Sequence, residues 1–265
     1  MYEFELVKPA SLAEAIEALK AEEAQPLGGG QTLIPTLKQR LAQPGSLVSL
    51  AGIPELVGVE VKGDVVNIKG ATPHARVAEL TASAFPALAA MADNIGDPAV
   101  RHRGTIGGSL ANNDPAACYP AAALACGATL VLTGPDGARE IVADDYFQGM
   151  FATDLGEGEI VTEVRFPIPE ASNYQKFVQP ASRFAMVGVF VAKYADGVRV
   201  AVTGASEEGV FRWTEAETAL TADFSPAALE SLSVPAEGMM GDIHASPEYR
   251  AHLVGVMTRR AVAAA

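Results

Sequence analysis

Leu27-Gly28-Gly29-Gly30-Gln31-Thr32 is the stretch on which the reading of the fold turns. A short apolar approach, Gln25-Pro26-Leu27, runs into three glycines. Leu33, Ile34, Leu37 and Leu41 then recur at helical spacing, with Lys38 and Arg40 outside the stripe. The pattern is strand, turn, helix, with Pro35 admitted only in the first helical turn, where its missing N–H leaves nothing unpaired. Glycine at such a junction permits positive φ and removes the side chain that would hold an anion away from main-chain N–H groups. Taken alone, the motif fits a ligand-free tight turn equally well. It is not a Rossmann fingerprint, because Leu33 stands where the third glycine belongs and no βαβ unit is expected to follow. A P-loop is excluded too, since its Lys and Ser/Thr are absent after Gly30.

A second glycine-rich run, Arg103-Gly104-Thr105-Ile106-Gly107-Gly108-Ser109-Leu110-Ala111-Asn112-Asn113-Asp114-Pro115, reads as a loop. It combines bare amides with hydroxyl, amide and carboxylate side chains, which suits an extended ligand carrying phosphates and sugar-like hydroxyls. An Asx-rich turn is the plainer alternative. Two such runs on one domain favour a bound dinucleotide. A side chain introduced at Gly29 or Gly108 is expected to block the ligand's approach while the protein stays folded.

Around these runs the chain reads as mixed α+β. Ser11-Leu12-Ala13-Glu14 has capping-box spacing and opens a helix to about Glu22. Val48–Leu50, Val57–Val61 and Val65–Ile68 read as strands, the last two joined by a hairpin at Lys62-Gly63-Asp64. Helices at Pro86–Met91 and Pro120–Ala125 precede strands at Thr129–Leu132, Glu140–Val142 and Ile160–Phe166. Phe166-Pro167-Ile168-Pro169, followed by polar residues, disfavours helix and central strand alike and marks a boundary between residues 1–170 and 171–265. Beyond it, Tyr174–Val178, Val187–Tyr194 and Val198–Thr203 form an antiparallel meander. Helices at Trp213–Leu220, at Pro226–Leu232 and after the cap Ser246-Pro247-Glu248 close the chain.

The 265 residues, 49% hydrophobic and 19% charged, suffice for a large core and two domains. A net charge of −13 argues against nucleic acid as the main partner but not against one diphosphate held by backbone amides. The two cysteines, Cys118 and Cys126, flank an alanine-rich helical stretch that holds their α-carbons roughly 12 Å apart, beyond disulfide reach. They read as small core residues, and no cluster has metal-ligand spacing. The N-terminus lacks a basic start and long apolar run, so a cytoplasmic protein is expected.

The runs Pro26–Pro35, Ile95–Arg103, Gly104–Pro120 and Ser246–Leu253 together resemble the FAD-binding medium subunit of the molybdenum hydroxylases, particularly those of the aerobic carbon monoxide dehydrogenase and nicotine dehydrogenase type. The resemblance covers nearly the whole chain. It implies a two-part FAD domain of the PCMH/vanillyl-alcohol-oxidase type, then a small C-terminal domain of antiparallel sheet plus helices. It implies non-covalent FAD, held by Leu27, Gly28, Gly29, Gly30, Gln31, Thr32 and Leu33 and by Thr105, Ile106, Gly107, Gly108 and Ser109. Asn112 and Asp114 would lie near the ribityl and phosphate groups, and Val161, beside Ile160, and Lys176 near the flavin ring. Phe184 falls where relatives often carry a Tyr over one ring face, and Cys118 where they often carry Asp. The resemblance further implies a large molybdenum-cofactor subunit, a small subunit with [2Fe-2S] clusters, possible dimerisation of that heterotrimer, and electron flow through FAD to an outside acceptor. No residue is expected to be catalytic and no metal is expected on this chain. His74 and His102 read as structural or solvated, and Arg101 and Arg103 either touch phosphate or form ion pairs. A stand-alone flavin oxidase of the same superfold, an assembly subunit without flavin and, least favoured, a nicotinamide dehydrogenase stay open as alternatives.

Overall fold

The computed structural model describes residues 1–265. Strand β1 (Glu5–Val7), helix α1 (Leu12–Ala18), strand β2 (Ala24–Leu27), helix α2 (Leu33–Lys38) and strand β3 (Ser46–Ser49) open the chain. β3 lies between β1 and β2, parallel to both. β2–α2–β3 is therefore a βαβ unit, which corrects the expectation that none follows the glycines; strands of four residues give too short a pattern to announce themselves. Ser11 caps α1 as its spacing predicts, its Oγ accepting from the Glu14 amide at 3.2 Å. The helix stops at Ala18, short of Glu22, and Glu23 takes φ 57 to turn into β2. Arg40 at φ 60 likewise ends α2 and leaves Leu41 exposed, off the expected stripe.

β4 (Val59–Lys62) and β5 (Val65–Lys69) form the expected hairpin, with Gly63 at φ 61. Five helices follow: α3 (His74–Thr81), α4 (Pro86–Asp93), α5 (Pro98–Arg101), α6 (Ile106–Asn112) and α7 (Cys118–Ala125). Then come β6 (Thr129–Gly134), β7 (Gly137–Val142), the short α8 (Ala143–Tyr146), a small hairpin of β8 (Phe147–Gly149) and β9 (Ala152–Thr153), and β10 (Ile160–Pro167). β10 crosses between β5 and β6 to complete a five-stranded antiparallel sheet, β4-β5-β10-β6-β7. The reading of residues 103–115 as loop is corrected by α6. Thr105 caps it by accepting from the Gly108 amide at 3.2 Å, and the low helix propensity of Gly107 and Gly108 hides the helix from a pattern search.

β11 (Ala171–Val178), β12 (Ala185–Tyr194) and β13 (Gly197–Ser206) form the expected meander, extended by β14 (Gly209–Arg212). The proline stretch is less irregular than expected. Pro167 still belongs to β10 and β11 begins at Ala171, positions at a strand end and on a sheet edge where a missing donor is tolerated. β12 and β13 are buried on both faces. Phe190, Ala192 and Ala201 pack into the core around α4 and α7, while Val187, Val189, Val191 and Val200 pack against α9 (Thr214–Ala222) and α10 (Pro247–Ala263). Ser246 caps α10 as expected; Pro226–Leu229 forms only a 3-10 turn, shorter than the helix to Leu232 that the sequence predicts. The architecture is α+β throughout, and no helix is long and apolar enough to cross a membrane.

Candidate functional site

A cavity of about 730 Å³ opens where the glycine turn after β2, the start of α6, the near end of β10 and the turn between β11 and β12 converge. It lies within the roughly 300–1,000 Å³ usual for cofactor pockets. Leu27 to Leu33 all line it, as do Thr105, Gly107, Gly108, Ser109, Asn112, Asp114, Val161 and Lys176. Ile106 does not: its side chain is fully buried in the core below, because helix periodicity turns it inward while its neighbours face the cavity.

The amides of Gly28, Gly29, Gly30, Gln31 and Thr32 donate to no acceptor in the chain. Thr32 makes no side-chain cap for α2 either. Helix-start amides are ordinarily capped, and a run of free N–H groups at a cavity wall is an anion-binding arrangement. The glycines serve different ends. A Cβ on Gly29 would sit 1.9 Å from the Arg103 carbonyl oxygen and one on Gly107 2.6 Å from that of Gly70. At both, glycine is required by backbone packed on backbone, so a side chain at Gly29 damages the fold itself, contrary to the sequence expectation. A Cβ on Gly108 meets only Thr105 Oγ1, at 3.0 Å, and otherwise points into open space. Gly30, at φ 70, supplies the left-handed turn into α2. Open amides beside a Cβ-free wall fit a diphosphate.

Gly70 joins the strands to this wall. Its amide donates to Thr162 O at 2.9 Å beside the irregularity between Val161 and Glu163 of β10, and its carbonyl accepts from Gly107 at 2.8 Å. Ile160 and Val161 are thereby brought to the cavity alongside α6. Sequence reading gave no role to Gly70, Leu155 or Glu159, which also line the cavity; a lone glycine and a loop held by a distant arginine leave no local signal.

His74 is buried and lines the cavity, 5.3 Å between ring centroids from Tyr119, with Nδ1 unpaired. Burial, and secondarily the Arg101 guanidinium, lower its pKa to about 4, so it is neutral at pH 7. His102 is exposed. Arg101 pairs with Asp93 at 3.3 Å and donates to the Ile95 and Gly96 carbonyls at 3.2 Å, the ion-pair alternative. Cys118 and Cys126 are free and buried. Burial raises the Cys126 pKa to about 12, but Cys118 is more than core filler: it lines the cavity and its Sγ accepts from Lys176 Nζ at 3.7 Å.

Residues 2–169 match the family described as FAD binding domain in molybdopterin dehydrogenase. The chain belongs to that family. It is 36% identical over 278 residues to the carbon monoxide dehydrogenase medium chain of Afipia carboxidovorans, covering 98% of this chain and 95% of that relative. To the nicotine 6-hydroxylase medium subunit of Paenarthrobacter nicotinovorans it is 35% identical, over 96% of this chain and 94% of the relative. The fold superposes on a chain of quinoline 2-oxidoreductase from Pseudomonas putida 86 with a TM-score of 0.90 at 29% identity, over 100% of this chain and 97% of that one. As a member of the FAD-binding family of molybdopterin dehydrogenases, the chain is a component of an oxidoreductase.

Proposed function

We propose that the chain is the FAD-carrying, electron-transferring subunit of a molybdenum hydroxylase, working with a large molybdenum-cofactor subunit and a small iron–sulfur subunit. The run of free amides from Gly28 to Thr32, in residues that line the cavity, carries the reading, because it suits the diphosphate of FAD. In this reading Thr105 and the Gly107-Gly108 wall border the diphosphate, Ser109, Asn112 and Asp114 offer polar groups to the ribityl chain and phosphates, and Ile160, Val161 and Phe184 supply apolar walls for the ring system. Bound there, FAD would supply a redox centre able to pass between one-electron and two-electron partners. The residues bind, orient and exclude water. None is placed as an acid, base or nucleophile, which suits electrons arriving from partner iron–sulfur clusters and leaving to an external acceptor.

The division into a flavin unit, residues 1–170, and a C-terminal unit, residues 171–265, belongs to the same proposal and is supported by the change of sheet between Pro167 and Ala171. Acid precipitation of the purified protein tests the cofactor, free FAD in the supernatant being expected. Expression with its neighbouring subunits should yield a complex containing molybdenum and iron. Substrate turnover by the chain alone would favour the stand-alone oxidase instead.

A further inference from the structure

The turn joining β11 to β12 overhangs the cavity and is built to be stiff within itself. Gln179 Oε1 accepts from the Ala181 and Ser182 amides at 2.6 and 2.7 Å, and the backbone closes with Arg183 N to Gln179 O at 2.8 Å and Gln179 N to Phe184 O at 2.9 Å. The turn sets Ser182, Arg183 and Phe184 on the cavity's edge. Phe184 is 49% exposed, a large apolar ring left for something in the cavity to cover.

What ties this turn to the body of the protein is Lys176. Its Nζ donates to Arg183 O at 3.0 Å, to Asn94 O at the end of α4 at 2.6 Å and to Cys118 Sγ at the start of α7 at 3.7 Å. An ammonium has three N–H groups, and all three are engaged. No donor is left for a ligand, so Lys176 is poorly suited to hydrogen-bonding the flavin directly. It is well suited to tying the β11–β12 turn to the ends of α4 and α7, which already pack together in the core beneath.

We propose that Lys176 is a positioning residue, a latch that seats the β11–β12 turn so that Phe184 stands over the flavin, with Cys118 as one of its three anchors. The inference rests on the cavity holding FAD and refines the part that Lys176 plays there. Lys176 acts through Phe184: the two residues form one unit, and losing either forfeits the same contact with the flavin.

A double-mutant cycle on the full-length chain tests this. Apoprotein of the wild type, K176M, F184A and the double variant is titrated with FAD, following flavin fluorescence and the dissociation rate, with a melting curve for each apoprotein. K176Q, which keeps part of the donor set, is measured in parallel as a milder change. FAD binding by the wild type is the control for the cofactor reading, and its absence overturns that reading rather than the latch. With that control met, K176M and F184A should each weaken binding about tenfold, K176Q less, and the double variant no more than the weaker-binding single variant. Bound flavin should fluoresce alike in K176M and F184A, having lost the same aromatic cover. Effects that multiply in the double variant, or wild-type affinity and emission in K176M, overturn the proposal.

Discussion

Gly29 and Gly108 look alike in the sequence, yet they stand in different surroundings. Gly29 faces the Arg103 carbonyl at a distance no Cβ tolerates, whereas Gly108 faces the cavity. G29V is therefore expected to lower the melting temperature or prevent folding. G108V, whose added side chain meets only the movable Thr105 hydroxyl, should lower the melting temperature far less than G29V and lose FAD affinity by about a hundredfold or more. His74 supplies a pH signature. Its folded pKa of about 4 lies below the unfolded value of 6.5, so the stability it contributes is complete above pH 6.5 and drains away as pH falls toward 4, by about 3 kcal/mol in all. Melting curves between pH 7.5 and 4 should show that loss, and H74Q should flatten it. Spacing could locate the glycines in the sequence. It could not say which of them faces a ligand, because that depends on Arg103 and Gly70, which no periodicity connects to them.

At the scale of elements, the loop from Asp154 to Glu159 reaches the cavity through Leu155 and Glu159 and is held by Arg139 on β7. Arg139 meets both Glu159 oxygens at 2.7 Å and Asp154 Oδ2 at 2.7 Å. The guanidinium lies outside the cavity, so R139A should weaken FAD binding severalfold through loop disorder and cost about 1 kcal/mol of stability, an ion-pair network half in water being worth little more. FAD titration beside a urea melt checks both. The helix caps at Ser11 and Ser246, the β4–β5 hairpin and the meander were legible because caps, turns and alternation are local chemistry. α6 and the βαβ unit were not: the first is masked by Gly107, which Gly70 forces on it, and by Gly108 beside it, and the second is too short to show a period.

Across the whole molecule, the two sheets share a core. α7 is buried along its length, and Phe190, Ala192 and Ala201 of the second sheet join the same cluster as Leu130 and Val164 of the first. Asp144 on α8 adds a polar tie, accepting from Arg199 Nη2 at 2.5 Å and Arg212 Nη1 at 3.1 Å on β13 and β14. D144A should lower the melting temperature by about 2–4 °C and preserve a single cooperative transition, since the apolar core and not this tie unites the halves. The proline-rich stretch showed where the chain changes sheet, but a core formed by residues far apart in sequence leaves no mark there. The account as a whole depends on the free amides at Gly28–Thr32 meeting the diphosphate, and amide NMR reads them individually. In ¹⁵N-labelled apoprotein titrated with FAD, the largest shifts should fall on Gly28, Gly29, Gly30, Gln31, Thr32 and Gly108 and saturate at one FAD per chain; unmoved resonances there at saturating FAD would contradict it.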